Sequence, residues 1–338
     1  MLTEPELDHA MTEPTAPLVE FITSVRSPLL VLGGSGKMGP SLAAMAKRAA
    51  ALAGVELRVI ALSRFSDQAA RRWLEERGVE TLACDLLDPA HVAALPDADD
   101  IIYMAGRKFG TTDNPALTWA MNMLPPEYVC RRFPNARVVA LSTGCVYPLI
   151  PVEQGGSREE DPLTPIGEYS NACVARERVF EYLATTTGTR VCLIRLNYAL
   201  DLRYGVLVDI ALKVLSGAPI DLTVGYLNAI WQRDANAMII RALSLAQSPA
   251  FPLNLTGPET LSVRAVAQRF GELFRREPIF AGTESPVALL NDSGKAHQLL
   301  GLPETSIEQV IRWTANWLEH QGRVLGKPTH YEVADGRY

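Results

Sequence analysis

The chain has 338 residues, 48% of them hydrophobic and 21% charged, with 24 Gly and 23 Pro. That balance excludes a collagen, a disulfide-stapled miniprotein and a wholly disordered chain, and the length predicts one large or two modest domains. With 32 basic against 38 acidic residues, a formal charge of −6 and no long basic tract, nucleic acid is not an expected partner. The 5 cysteines are scattered and include no Cys-x-x-Cys pair, a pattern of reduced thiols rather than of disulfides or a zinc site. The histidines show no metal-ligand spacing either, so no metal is expected. No apolar run approaches the ~20 residues needed to span a bilayer. The acidic, Pro-rich start lacks a signal-peptide pattern. The expectation is a cytoplasmic protein with no membrane partner.

In chain order, the first ~15 residues read as a flexible leader, followed by a short amphipathic piece at 18–25. Short apolar runs then alternate with helix-like stretches. Strands are predicted at 29–32, 57–62, 81–84, 101–104, 138–141 and 191–194, with helical sequences such as SLAAMAKRAAALAG and QAARRWLEERG between them. Continuous rather than alternating hydrophobicity marks strands buried on both faces, and the strand–helix rhythm predicts a doubly wound parallel sheet. Beyond residue 197 the rhythm breaks, with helices predicted at 207–215, 235–246, 263–274 and 307–318. The expected division is a leader and short N-terminal segment at 1–27, a nucleotide-binding domain at 28–196, a stretch at 197–320 that is mostly a smaller C-terminal cap, and a loose tail at 321–338.

The strongest local signal is LLVLGGSGKMGPSLAAMAKRAAA. An apolar run feeds Gly33, Gly36, Lys37, Met38 and Gly39, and a helical stretch follows. The G-x-x-G-x-x-G spacing allows a tight turn, a close approach of backbone to a pyrophosphate, and close packing of helix on strand. The helix N-terminus supplies unpaired N–H groups to the phosphates. A ligand-free connecting loop is the competing reading, and the flanking strand and helix favour the dinucleotide. At the end of the second strand, Ser63 and Arg64 stand where a carboxylate would read the ribose 2′-hydroxyl of NAD. Arg64 beside Ser63 suits a 2′-phosphate instead, so NADP is favoured over NAD. An ordinary surface arginine is the alternative.

These motifs, in this order over about 290 residues, resemble the extended short-chain dehydrogenase/reductases, the NAD-dependent epimerase/dehydratase family. The resemblance implies an α/β fold, a Rossmann-type doubly wound parallel sheet with a smaller C-terminal substrate-binding cap. It places Asp85 and Leu86 at the adenine and Ala105 and Gly106 in the cofactor loop after strand four. Lys108 resembles the lysine that nucleotide-sugar 4-epimerases carry near the dinucleotide. Asn122 in WAMNM matches the helix asparagine that fixes the active site. LSTGCVYP places Thr143 at the catalytic hydroxyl, and Tyr169 takes the place of the general acid/base. Asn197 and Tyr198 match the substrate-touching segment after the sixth strand. Trp231 and Arg233 are candidates for a sugar ring and an anion, with cap packing as the alternative. The implied function is an NAD(P)-dependent oxidoreductase or epimerase acting on a hydroxyl or keto group of a small carbohydrate-like substrate. Gly144 and Cys145 cannot act as the acids that dehydratases place after the catalytic hydroxyl, which argues against that branch. A homodimer through the helices carrying Asn122 and Tyr169 is also implied.

One departure stands out. The family's Tyr-x-x-x-Lys reads Tyr169-Ser-Asn-Ala-Cys173 here. In the family that lysine holds the nicotinamide ribose and lowers the pKa of the tyrosine; a neutral thiol at Cys173 does neither. Three readings stay open: Lys108 or Lys37 supplies the charge from another loop, the chemistry is slow or uses another base, or the protein is a dinucleotide-binding sensor without catalysis.

Overall fold

All six apolar runs become strands of one parallel sheet, with their ends moved by a residue or two. They are β1 (Leu29–Leu32), β2 (Val59–Ser63), β3 (Glu80–Ala83), β4 (Asp100–Tyr103), β5 (Arg137–Thr143) and β6 (Arg190–Leu196). A seventh, β7 (Phe251–Leu255), joins the edge, giving the order β7-β6-β5-β4-β1-β2-β3. These features come from a computed structural model that describes residues 3–108, 113–327 and 329–333. The ends of the expected leader and tail, 1–2 and 334–338, and residue 328 lie outside the described residues.

The continuous hydrophobicity of β1 is explained by its position. Leu29 and Val31 enter one core, Leu30 and Leu32 the other, so alternate side chains of a central strand serve opposite faces. Helices α1 (Glu4–Thr12), α2 (Ala16–Phe21), α3 (Gly39–Leu52), α4 (Gln68–Glu75), α5 (Pro89–Ala93), α6 (Pro115–Arg132) and α7 (Gly167–Thr187) accompany this half. Alanine-rich α3 fills the first core, while α5, α6 and α7 supply Val92, Val129 and Phe180 to the second. Beyond β6 come α8 (Val206–Ser216), α9 (Gln232–Arg241), α10 (Val263–Phe274), α11 (Gly294–Leu300) and α12 (Ile307–Glu319). The cap core is built by α8, α10 and α12.

Four expectations need correction. The cut at 196/197 is not clean, because α9 and β7 return to the nucleotide-binding half: Ala235, Ile239, Leu253 and Leu255 belong to the same core as Leu29. The helix expected at 235–246 starts earlier and ends in a 3-10 turn, Ala242–Leu245. The leader is a capped helix. Thr3 accepts from the Glu6 amide at 3.3 Å and donates its own amide to Glu6 at 3.2 Å, a capping box. One turn apart, Leu7 and Met11 sink into the cap core. The tail is not loose either. Tyr331 is buried in the cap core, and the Thr329 amide donates to Asp209 of α8 at 2.8 Å.

The C-terminal ends of β5, β6 and β7 are tied by a buried polar network. Arg195 makes a bidentate pair with Glu177 of α7, with Nη2–Oε2 at 2.8 Å. Arg195 also donates to the Tyr147 hydroxyl at 2.6 Å and the Glu159 carbonyl at 3.0 Å, and Ser142 donates to Glu177. Tyr147 in turn donates to Asn254 at 2.9 Å. Such a network fixes the strand ends from which the site is built.

Candidate functional site

The turn between β1 and α3 shows why its glycines stand where they do. Gly33 has φ +88°, and a Cβ there would lie 2.8 Å from the Ala105 nitrogen in the loop after β4. A Cβ on Gly39 would lie 2.7 Å from Gly34, so α3 could not start so close to the turn. At Gly36 a Cβ would meet only the Gly33 carbonyl, at 3.2 Å. The backbone therefore borders open space there, at the N-terminal end of α3. That cradle, which a side chain would fill, and the helix's unpaired N–H groups suit the diphosphate of a dinucleotide.

From this turn two hollows extend. One is lined by Gly33, Gly36, Ser63, Arg64, Asp85, Leu86, Ala105 and Gly106, the expected adenosine side. Its Ser63 hydroxyl shares a 2.5 Å hydrogen bond with Ser35, and Arg64 is exposed at its edge. The other, a cavity of about 270 Å³, runs between sheet and cap. It gathers Lys37, Met38, Lys108, Thr143, Tyr169, Asn197 and Tyr198 with the glycine turn. The structure thus brings most of the expected cofactor and catalytic positions to one cleft at the carboxyl ends of the strands, where open α/β sheets bind ligands.

Lys37 crosses this cleft. Its ammonium donates to the Ala199 carbonyl at 2.8 Å and lies 4.0 Å over the Tyr204 ring. Its stem is open to the cleft, but the crowded surroundings desolvate the ammonium; Asp201 opposes this, Lys108 adds to it, and the pKa comes down to about 7.

Behind the cleft wall lie the other two expected residues, Asn122 and Cys173, both buried. Asn122 donates to the Thr118 carbonyl at 2.7 Å. Pro125 and Pro126 stand inside α6, so the Met121 and Asn122 carbonyls lose their helical hydrogen bonds. The Cys173 thiol and Tyr169 hydroxyl are hydrogen-bonded, and burial drives both groups above their ordinary pKa.

A residue that the sequence reading passed over completes this corner. Arg176, seven residues after Tyr169 on α7, lines the cleft with it. Its Nη1 donates to Asn122 at 3.0 Å and to the Ala105 carbonyl at 3.2 Å; its Nη2 approaches the Cys173 sulfur at 3.5 Å. A Cβ on Gly106 would stand 2.6 Å from Nη1, so Gly106 leaves the guanidinium its place. The signal in the sequence was its spacing: positions three and seven residues apart share a helix face.

The family model for the NAD-dependent epimerase/dehydratase family matches residues 29–199, half of the chain. The chain belongs to that family. No curated protein matches it. Among solved structures, it resembles MoeE5 in complex with UDP-glucose and NAD, at 17% identity and a TM-score of 0.70, covering 87% of this chain and 99% of that one. The UDP-glucose 4-epimerase of Thermus thermophilus in complex with NAD is similar at 19% identity, TM-score 0.70, and 88% and 100% coverage. DesIV, a dTDP-glucose 4,6-dehydratase from Streptomyces venezuelae with NAD bound, is similar at 20% identity, TM-score 0.71, and 86% and 97% coverage. These likenesses establish the Rossmann-type fold with its cap.

Two expected substrate residues of this family member lie away from the cleft. Trp231 is buried in the cap core against Trp313, ring centroids 5.5 Å apart. Arg233 is held by Asp234 and Glu304 at 2.9 and 2.6 Å and by the Glu13 carbonyl. Two carboxylates and a carbonyl thus hold the Arg233 guanidinium away from the cleft. Asn197 does reach the cleft, where its amide donates to Asn228 at 2.8 Å. Tyr204 and Cys145 also line the cleft and were not anticipated. Among the described residues, no group of His, Cys, Asp and Glu is arranged to hold a metal, and no helix is long and apolar enough to cross a membrane.

Proposed function

We propose that the protein is an NAD(P)-dependent oxidoreductase or epimerase acting on a hydroxyl or keto group of a sugar or nucleotide sugar. The observation that carries this reading is the convergence of Thr143 and Tyr169 with the glycine turn in one cleft. A bound nicotinamide would supply hydride acceptance and donation. The diphosphate would rest on the turn at 33–39, the adenosine between Arg64 and Asp85–Leu86, and the nicotinamide end beside Tyr169, Lys108 and Arg176. Thr143 and Tyr169 supply hydroxyls that hydrogen-bond a substrate oxygen; Tyr169 exchanges the proton as that oxygen changes between hydroxyl and keto. Nucleotide-sugar ligands in the names of similar structures support the substrate class. Redox or epimerisation is favoured over dehydration, because Gly144 has no room for an acid: a Cβ there would lie 2.6 Å from the Asn291 side chain.

A preference for NADP, carried by Arg64, and a homodimer belong to the same proposal. For that dimer, Ala172 and Leu183 of α7 are intramolecular core, and the apolar residues left on the outer face of α6 and α7 are Leu124, Val174 and Tyr182. A monomeric mass by light scattering at micromolar concentration refutes it.

A screen of sugars and nucleotide sugars with NAD and NADP, followed at the reduced-nicotinamide absorbance band, tests the activity. Turnover abolished by Tyr169→Phe and weakened by Thr143→Ala and Lys108→Ala is the expected result. Tight cofactor binding without turnover of any substrate would favour the alternative, a dinucleotide-binding sensor.

A further inference from the structure

We propose that Arg176 supplies, from one turn further along α7, the positive charge that Cys173 cannot, and so acts as a positioning residue for Tyr169 and the nicotinamide end of the cleft. The inference rests on the functional reading above, but the geometry stands independently of the substrate. Residues 169, 173 and 176 lie on one face of α7, and helix side chains lean toward the N-terminus. A long side chain at 176 therefore reaches back over position 173, provided that residue is small. Cys173 is small and buried, and the Arg176 guanidinium lies 3.5 Å from its sulfur. Three further features hold it there. Asn122 on α6 and the Ala105 carbonyl after β4 accept from Nη1, and Gly106 leaves the space it occupies.

The charge has work to do in that position. Tyr169 is buried, and burial disfavours its phenolate. Around it stand Cys173 and Arg176 from its own helix, Cys145 from the turn after β5, Lys108 from the β4 loop, and Lys37 and Tyr198 across the cleft. Of the residues that act on its ionisation, the two thiols and burial raise its pKa and Arg176 lowers it. A guanidinium stays charged at any working pH, so it lends charge steadily without itself relaying protons. The Arg176 Nε is buried with no hydrogen-bond partner, which leaves one donor of this cation unspent.

The test is a phenolate titration of Tyr169 in the protein saturated with oxidised cofactor, isolated by subtracting the spectrum of Tyr169→Phe. Three variants are compared: Arg176→Met, Arg176→Lys, and Cys173→Lys/Arg176→Met. Arg176→Met should move phenolate formation up by about 1 pH unit or more, the scale of an opposite charge within a few ångströms. Arg176→Lys should recover part of that shift. The double variant, with the ammonium one turn closer, should recover most of it. Where turnover is measurable, the alkaline limb of the pH–rate profile should move in parallel. A folded Arg176→Met with an unshifted titration overturns the proposal, as does a wild-type Tyr169 that stays un-ionised throughout the pH range in which the protein remains folded. If Arg176→Met fails to fold, a double variant whose titration lies no closer to wild type than that of the cation-free Cys173→Met/Arg176→Met overturns it equally. A shifted titration in a protein that turns over no sugar would retain this inference and discard the proposed function.

Discussion

Removing the Glu177 carboxylate should cost more stability than almost any other single change near the cleft. Its side chain is 0% exposed and that of Arg195 3%, so neither charge can turn to water. Glu177→Ala leaves the guanidinium buried with two of its acceptors, the Tyr147 hydroxyl and the Glu159 carbonyl, and no counter-charge. Breaking a buried pair in this way costs about 3–5 kcal/mol. With a urea slope of about 3 kcal/mol per molar for a chain of this length, the unfolding midpoint should fall by about 1–1.7 M, read by tryptophan fluorescence. The double variant Glu177→Leu/Arg195→Met separates a lone ion pair from a network. An isolated pair exchanged for apolar residues is often neutral or better. Here the exchange also strips Ser142 of its acceptor and the Glu159 carbonyl of a donor. At about 1–3 kcal/mol each, the loss stays near that of the single variant. A double variant that regains the wild-type midpoint, or a single variant that barely moves it, refutes this reasoning.

Gly36→Val should keep the fold and abolish dinucleotide binding by calorimetry, because its Cβ enters the cradle and touches only the Gly33 carbonyl; retained affinity would contradict the phosphate assignment. Arg64→Ala should weaken NADP binding by about 1.5–3 kcal/mol and leave NAD unchanged, and equal losses would show that Arg64 does not read a 2′-phosphate. Lys37 predicts a protonation effect: an ammonium whose pKa is lowered to about 7 by its surroundings is mostly neutral at pH 8. A diphosphate on the neighbouring turn raises that pKa, so cofactor binding there should take up a proton. Calorimetry in buffers of different ionisation enthalpy measures the uptake, and Lys37→Met should abolish it.

The sheet was legible because its strands are buried on both sides, which leaves unbroken apolar runs such as LLVL. β7 was not, because its FPLNL carries a proline, which argues against a central strand. As an edge strand, β7 pairs only with β6, so the proline is tolerated. The glycine turn was legible for the same reason that it works: few other residues fit where backbone meets backbone. Acidic, Pro-rich composition hid α1, although Thr3 with Glu6 and Leu7 with Met11 are the marks of a capped helix. The site residues taken from motif positions in the sheet half come together in space. Of those beyond residue 196, Asn197 and Tyr198 also reach the cleft but Trp231 and Arg233 do not, since these two answer to packing and ion pairs that only the tertiary structure creates. Arg176 is hidden in the sequence because its cation stands one turn beyond the lysine position of Tyr-x-x-x-Lys, on the same helix face.

Helix α1 also changes how the cleft must behave. Asp8 accepts from Trp73 of α4 at 2.7 Å on the nucleotide-binding half and from Arg203 at 3.1 Å on the cap side. Glu4 adds Arg203 at 3.1 Å and Arg323 at 2.8 Å, and Arg48 of α3 grips the His9 carbonyl at 2.8 Å. The two halves are thus riveted together by α1 along one side of the gap. Any widening of the gap on that side has to unfasten α1, breaking its contacts to Trp73, Arg203 and Arg323. The first dozen residues of the chain thereby act as a clasp between the halves, and an affinity tag fused ahead of Thr3 would hang beside that clasp.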